Sequence, residues 1–139
     1  MKKIFFDTWG WVAIAHKEDN RHAEVVPFYK AYLLKKGIPI TTDYVLAETV
    51  TLLRAKTHGV DVFIDAILSA AKEGKILIER IGEARWEKAW ALSKKYQDKP
   101  DVSFVDLTSF VVMNEKGISE TLTADKHYEE VGLGLKKLF

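Results

Sequence analysis

The stretch that decides the fold of this chain begins Asp101-Val102-Ser103-Phe104-Val105-Asp106 and ends Leu122-Thr123-Ala124-Asp125. Within it, Ser103 is followed three residues later by Asp106, which is the spacing of a capping box and predicts a helix beginning at Phe104. This stretch is informative because it combines a long apolar segment with carboxylates at positions where burial is otherwise expected.

The predicted helix runs to about Lys116 and ends at Gly117, a residue type that is typical after a helix C-terminus. Its positions are almost all apolar, which predicts a central helix packed on most sides. Asp106 lies four residues before Phe110 and seven before Met113, so the three share a face. An acid on that face must meet a cation, hydrogen-bond donors or the end of the core.

Short apolar runs alternate with helical patterns along the whole chain. This alternation predicts an α/β domain with a parallel sheet of four or five strands, covered on both faces by right-handed crossovers. Strands are predicted at residues 4–7, 38–41, 76–78 and 118–122, with a marginal last strand at 135–139. Helices are predicted at 9–15, 23–36, 43–56, 60–73, 83–96, 104–116 and 127–131. In the second of these, spacing places Val26, Tyr29 and Leu33 on the inward stripe.

Four acidic residues are predicted to meet at one edge of that sheet. Asp7 and Asp125 stand where predicted strands end. Glu48 and Asp106 lie in the first two turns of predicted helices. A helix that follows a parallel strand begins at the carboxyl edge of the sheet, where open α/β sheets bind ligands. We therefore expect the four side chains to form one site.

Each acid also has an ordinary structural explanation. Asp7, Asp106 and Asp125 stand where an acid can cap a helix N-terminus. Glu48 interrupts an apolar stripe that includes Val45, and a pairing with a neighbouring Lys or Arg would explain it. Capping does not explain Glu48, nor why all four acids project to the same edge, so we favour a joint site.

Four carboxylates within a few ångströms repel one another unless protons or a cation neutralise them. The chain has no cysteine, and oxygen ligands suit Mg²⁺ or Mn²⁺ better than Zn²⁺. Such an ion can activate water and stabilise the leaving oxygen of a phosphodiester. Motifs of P-loop, dinucleotide-binding, serine hydrolase and zincin enzymes are absent. The histidines share no ligand spacing, and we assign catalysis to none of them: His16, His22, His58 and His127.

Composition limits the possible partners and location. With 139 residues, of which 47% are hydrophobic, we expect one domain over residues 1–139. A net charge of +1 gives no global attraction to nucleic acid, so RNA binding would need a local basic patch. No apolar run approaches the roughly 20 residues of a spanning helix, and Asp7 interrupts the apolar run near the N-terminus. We expect a cytoplasmic protein without a membrane partner.

Four segments together resemble PIN domains, particularly the VapC-like toxin ribonucleases. The resemblance spans essentially the whole chain, and it implies a three-layer α/β/α fold with Mg²⁺- or Mn²⁺-dependent endoribonuclease activity that a cognate antitoxin restrains. It also implies products with a 5′-phosphate and a 3′-hydroxyl. The segments are Ile4-Phe5-Phe6-Asp7-Thr8, Thr42-Asp43-Tyr44-Val45-Leu46-Ala47-Glu48, Ser103-Phe104-Val105-Asp106-Leu107-Thr108-Ser109 and Leu122-Thr123-Ala124-Asp125-Lys126-His127-Tyr128.

The resemblance also implies roles for individual residues. Thr8 matches a hydroxyl near the first acid, and Ser103 and Asp101 are expected to support the site from its margin. Helix capping is the alternative for Thr8 and Ser103, and a solvated loop acid is the alternative for Asp101. Many relatives carry a small polar residue where this chain has Trp9. The expected catalytic and metal-binding residues are Asp7, Glu48, Asp106 and Asp125.

Substrate and protein partners are expected at other surfaces. We expect Arg54, Lys56 and Lys126 to contact RNA phosphates, although ordinary solvated cations explain each of them equally well. Trp86 and Trp90 are expected at a homodimer contact. An antitoxin helix is expected on apolar residues that one sheet face cannot cover, among them Tyr29, Tyr32, Leu33, Leu34 and Phe63.

Two other functions fit parts of the pattern. A PIN-like module that binds RNA or protein but holds metal poorly would not need all four acids. A phosphotransfer receiver also collects acids at a sheet edge, but here the third predicted strand is followed by Glu79-Arg80, which fits that class badly.

Overall fold

The computed structural model, which describes residues 3–139, contains one sheet of parallel strands in the order β3-β2-β1-β4-β5. Phe5 of the central strand β1 pairs with Ile40 on one side and with Thr121 on the other. The predicted α/β class and parallel sheet are therefore confirmed. The strands are β1 Ile4–Phe6, β2 Ile40–Thr42, β3 Leu77–Glu79, β4 Glu120–Leu122 and β5 Lys136–Lys137.

Helices cover both faces of this sheet. Crossovers between parallel strands are right-handed, so the connections from β1 to β3 place α1 to α4 on one face. The order then reverses at β1, and the connections from β3 to β5 place α5 to α7 on the other face. The helices are α1 Thr8–Ala15, α2 His22–Leu34, α3 Asp43–Lys56, α4 Val60–Lys72, α5 Glu83–Lys95, α6 Phe104–Lys116 and α7 His127–Glu130.

Helix α6 is the central helix that its sequence predicts. The hydroxyl of Ser103 accepts a hydrogen bond from the Asp106 backbone N–H at 3.0 Å, which caps the N-terminus. Gly117 ends the helix with φ 65°, a left-handed conformation that favours glycine. All eight residues from Asp106 to Met113 are buried. A carboxylate is thus held inside the protein at the first turn of its most buried helix.

The buried stripe of α2 differs from the prediction. Spacing alone favoured Val26, Tyr29 and Leu33, but the buried residues are Val25 and Tyr32, and Leu33 is 38% exposed. The reason lies on the sheet, where the ring of Phe6 packs against Tyr32 at 5.9 Å and against Tyr29 at 5.6 Å. With these contacts, the face of α2 that points toward the sheet is shifted by about one residue from the face that spacing predicts.

Helix α1 packs directly on the sheet beside the central strands. A Cβ atom added at Gly10 would lie 2.7 Å from the Leu122 carbonyl oxygen and 2.9 Å from its Cγ. Glycine at this position is therefore what lets the helix approach β4. Within residues 3–139, no helix combines the length and apolar character needed to cross a bilayer.

We expect Gly10→Ala to lower the free energy of unfolding by about 1–3 kcal/mol, because the added methyl group overpacks the contact between α1 and β4. Urea unfolding would measure the loss. Gly82→Ala is the matched control, since a Cβ there meets nothing within 4 Å. Equal stability of the two variants would contradict the close packing of α1 on β4.

Candidate active site

The four acids converge on one cleft at the carboxyl edge of the sheet. The strand order reverses between β1 and β4, and the crevice at such a point is where open α/β sheets bind ligands. Asp7 follows β1 and Asp125 follows β4, so both flank that crevice, and α3 and α6 bring the other two acids to it. The cleft has a volume of about 470 Å³, and its lining includes Asp7, Thr8, Glu48, Asp101, Ser103, Asp106 and Asp125.

Asp7 occupies the N-cap position of α1, but its side chain caps nothing. The Thr123 hydroxyl donates to its Oδ2 at 3.0 Å. Its Oδ1 is buried and has no hydrogen-bond partner among the described residues. Burial raises the pKa of Asp7 to about 6, and this rise persists although the Thr8 backbone N–H and the hydroxyls of Thr123 and Tyr128 oppose it. The capping explanation of Asp7 is therefore wrong.

The pKa of the Asp106 carboxyl group is raised further than that of Asp7. Burial raises the pKa of Asp106 to about 7, and the charges of Asp7, Asp125 and Glu48 add to the rise. Ser103 supplies the cap of α6, so the Asp106 side chain is not needed for that purpose. The Ser103 hydroxyl therefore caps a helix, which is one of the two roles considered for it.

Glu48 is held by a hydroxyl from another helix. The Thr8 Oγ1 donates to Glu48 Oε1 at 2.6 Å. Among residues 3–139, Glu48 has no ion pair with Lys or Arg, and Thr42 provides the cap of α3. The ion-pair explanation of Glu48 is therefore wrong, and Thr8 positions a carboxylate instead of capping a helix.

Asp125 brings a histidine into the site. Its Oδ1 accepts a hydrogen bond from the His127 backbone N–H at 2.9 Å, so local backbone bonding accounts for one of its oxygens. The His127 Nδ1 lies 2.8 Å from the same oxygen, within ion-pair distance for a protonated ring, although this contact lacks hydrogen-bond geometry. Asp106, Asp125 and His127 each offer a ligand atom, and these atoms lie within 4.8 Å of one another.

Two residues of this site were missed from the sequence. His127 shares no metal-ligand spacing with another histidine, although it stands two residues after Asp125 and thus on the same turn. Thr123 lies inside one of the quoted segments, but its bond to Asp7 joins residues 116 positions apart. Only the pairing of β1 with β4 brings them together.

The three cations that were expected to bind phosphate are not equally placed. Lys56 lines the cleft, whereas Arg54 and Lys126 are exposed and stand outside its lining. Trp9 also lines the cleft, and its ring contacts Phe139 at 5.8 Å and the Arg21 guanidinium at 5.3 Å. Trp9 therefore gives this part of the cleft an aromatic wall.

Comparison with known proteins agrees with this arrangement. Residues 4–133 match the PIN domain family. The chain belongs to the PIN domain family. It is 32% identical over 130 residues to the 23S rRNA-specific endonuclease VapC20 of Mycobacterium tuberculosis, a match that covers 93% of this chain and 94% of VapC20. The resemblance to VapC-like toxins seen in the four sequence segments is thereby confirmed.

Solved structures show the same fold. The crystal structure of VapC20 from M. tuberculosis, a sarcin-ricin loop cleaving toxin, has a TM-score of 0.75 at 30% identity, and the match covers 94% of this chain and 95% of VapC20. FitAcB from Neisseria gonorrhoeae has a TM-score of 0.61 at 13% identity, with 98% and 96% covered. The FitAcB likeness concerns the fold alone.

The donor atoms of this PIN domain fit a hard divalent cation. Asp7 Oδ1 is buried and makes no hydrogen bond of standard geometry with the described residues. Burial raises the pKa of Asp106, and the charges of the neighbouring acids add to that rise. Carboxylate oxygens with one imidazole nitrogen nearby form a ligand set that Mg²⁺ or Mn²⁺ accepts, and the sequence has no thiolate to favour softer metals. A bound cation would offset the repulsion among the carboxylates and would give Asp7 Oδ1 a partner.

Without metal, we expect the protein to lose stability as pH rises from about 4 to about 7. The pKa values of Asp7 and Asp106 are raised to about 6 and about 7 in the folded state, so between these limits the folded chain binds protons that the unfolded chain has released. Asp7 alone contributes a change on the order of 3 kcal/mol at most. Unfolding by urea in EDTA, at a series of pH values, measures this slope.

Asp7→Asn should flatten this pH dependence and leave stability at pH 8 unchanged or higher. Asp65→Asn, at an exposed position on α4, is the control and should keep the wild-type slope. A large loss of stability in Asp7→Asn at pH 8 would show that the carboxylate has a structural role.

Proposed function

We propose that this PIN domain is a Mg²⁺- or Mn²⁺-dependent endoribonuclease and acts in the cytoplasm as the toxin of a toxin-antitoxin pair. The observation that carries the proposal is the convergence of Asp7, Glu48, Asp106 and Asp125 on one cleft. Among the described residues, no Lys or Arg forms an ion pair with these acids, although Lys56 lines the same cleft. Similarity to an endonuclease over 93% of the chain supports it.

The four acids would hold one or two cations, directly or through water. When bound, such a cation lowers the pKa of the attacking water and offsets charge on the scissile phosphate. The carboxylates would also keep the phosphate out of the cleft until a cation is present, because their charges repel it. We propose that hydrolysis leaves a 5′-phosphate and a 3′-hydroxyl.

The surrounding side chains would fix the orientation of these ligands. Thr123 holds Oδ2 of Asp7 and leaves Oδ1 unengaged. Thr8 holds one oxygen of Glu48. Because the partners of metal ligands set ligand orientation and basicity, we propose that both hydroxyls position the acids. Asp101 lies at the exposed rim of the cleft, where it would support the site from outside.

RNA is the proposed substrate, and cations near the cleft would bind its phosphates. Lys56 is the contact best supported by position, because it lines the cleft itself. Arg54, on the same helix, and Lys126, beside Asp125, would reach an RNA strand that continues beyond the cleft. Lys126 is exposed and lies 3.9 Å from Glu130, a weak pairing that leaves it available.

An antitoxin helix would find an apolar groove on the opposite side of the domain. The groove has a volume of about 420 Å³, with Tyr29 and Leu33 of α2 and Ala70 of α4 in its lining. It includes residues 36–38 and 74–76, which precede β2 and β3, so it lies at the amino edge of the sheet. The resemblance to VapC-like toxins implies a different place for the antitoxin segment, in a groove beside the acids. Of the other residues expected at the antitoxin surface, Leu34 is 85% exposed. Tyr32 is buried and Phe63 packs on Trp11, so both belong to the interior packing.

A homodimer would use the aromatic pair on α5. Trp86 and Trp90 are 42% and 48% exposed, and their rings stack with centroids 6.2 Å apart. Trp86 also contacts Phe104 at 5.0 Å, which fixes the pair against the N-terminus of α6. Rigid exposed aromatic residues are typical anchors of protein interfaces.

We expect Asp7→Asn, Glu48→Gln and Asp106→Asn each to lower the rate of RNA cleavage by roughly two orders of magnitude or more, because each acid helps to bind and place the same cation. Asp125→Asn should be the most tolerated, since one of its oxygens already accepts a backbone N–H. The measurement is cleavage of labelled RNA with Mg²⁺, Mn²⁺ or EDTA, and unfolding curves verify that each variant folds. Folded wild-type protein that binds RNA but never cleaves it would instead identify a binding module.

Expression of the wild-type chain should slow the growth of a bacterial host, and Asp7→Asn should abolish this effect at equal expression. Sedimentation should show a dimer that Trp86→Ala with Trp90→Ala weakens. Normal growth with abundant folded wild-type protein would contradict the toxin role, and a monomer at all concentrations would contradict the dimer.

A further inference from the structure

A second polar cavity lies at the far end of the acid cleft. It has a volume of about 430 Å³ and is formed where α1 and α3 end. We call it the basic pocket, because Lys17, Lys56, His16 and His58 line it and Glu18 is its one acid. Ala15 and Thr57 complete the lining.

The basic pocket adjoins the acid cleft at Lys56. Lys56 lines both of them, and α3 carries Glu48 and Lys56 eight residues apart, which is about 12 Å along a helix. The two cavities therefore form one trough with carboxylates at one end and cations at the other. A strand of nucleic acid that crosses the acids and follows this trough reaches the basic pocket within a few nucleotides.

The cations of the basic pocket are not engaged by protein carboxylates. Among residues 3–139, neither Lys17 nor Lys56 forms an ion pair, whereas Arg85 on another surface bonds both Glu79 and Glu115. Cations near the C-termini of α1 and α3 also complement the helix dipoles. That effect does not require an open cavity between the two helix ends, nor its connection to the acid cleft.

We propose that the basic pocket binds the sugar-phosphate backbone of the RNA strand on one side of the scissile phosphate. This proposal rests on the proposed ribonuclease function and adds the subsite that holds and orients the substrate. Charge supplies the reason: four acids repel RNA, and a net charge of +1 provides little attraction over the whole protein. Unpaired cations at one end of the trough would bind the strand and set its direction across the acids.

The first test measures RNA affinity without cleavage. In an Asp106→Asn background, binding of a fluorescent single-stranded RNA is followed by anisotropy across a KCl series with Mg²⁺ present. Lys17→Ala should lower the slope of log K against log salt by about 0.7, the value for one phosphate contact on a single strand. Lys72→Ala is the matched control, because Lys72 is also an exposed lysine at a helix C-terminus but lies outside both cavities, and it should keep the parent slope.

The second test locates the contacted phosphate. Single methylphosphonates, which are uncharged, are placed in turn along the RNA on both sides of the cleavage site. We expect them to weaken binding of the parent protein on one side only, a few nucleotides from that site, and to have no further effect at that position in Lys17→Ala. In His58→Gln, we expect methylphosphonates on the same side of the cleavage site to weaken RNA binding less than they do in the parent protein.

The outcomes separate this inference from the proposed function. If the wild type cleaves RNA but Lys17→Ala keeps the parent salt slope, or if methylphosphonates act equally on both sides, the basic pocket is not the subsite and the ribonuclease function stands. If the wild type neither binds nor cleaves RNA, both proposals are wrong.

Discussion

The burial of carboxylates that also repel one another is the constraint on which this structure depends. Asp106 lies in the most buried helix, and the charges of Asp7, Asp125 and Glu48 act on it there. Each unit of raised pKa costs the ionised protein about 1.4 kcal/mol. The fold keeps these acids together although their separation would stabilise the chain. Such a cost is typical of functional sites, where strain is retained for binding or catalysis.

The rest of the architecture serves to hold that cluster in place. The reversal of strand order at β1 creates the crevice, and the close approach of α1 to β4 at Gly10 brings Asp7 beside the end of β4. Hydroxyl groups then fix individual oxygens, Thr8 for Glu48 and Thr123 for Asp7. None of these donors is charged, so the negative charge remains available to a cation. A lysine or arginine in the same positions would neutralise the site and remove its function.

Charge is also distributed along the trough and not only at the acids. Lys56 stands between the acid cleft and the basic pocket, so the surface changes sign over two turns of one helix. This arrangement suits a polyanion that must meet a metal at one phosphate and cations at others. It also explains how a protein of almost neutral overall charge could bind RNA through a local surface.

The sequence by itself determined the elements and the acids that meet at the sheet edge. The capping box and the glycine at 117 defined α6, and the alternation of strands and helices defined the parallel sheet, because these signals are local in the chain. Tertiary structure alone decided the inward face of α2 and the bond from Thr123 to Asp7. It also decided which carboxyl groups have raised pKa values. These properties depend on desolvation and on partners far away in sequence, and spacing along the chain does not encode them.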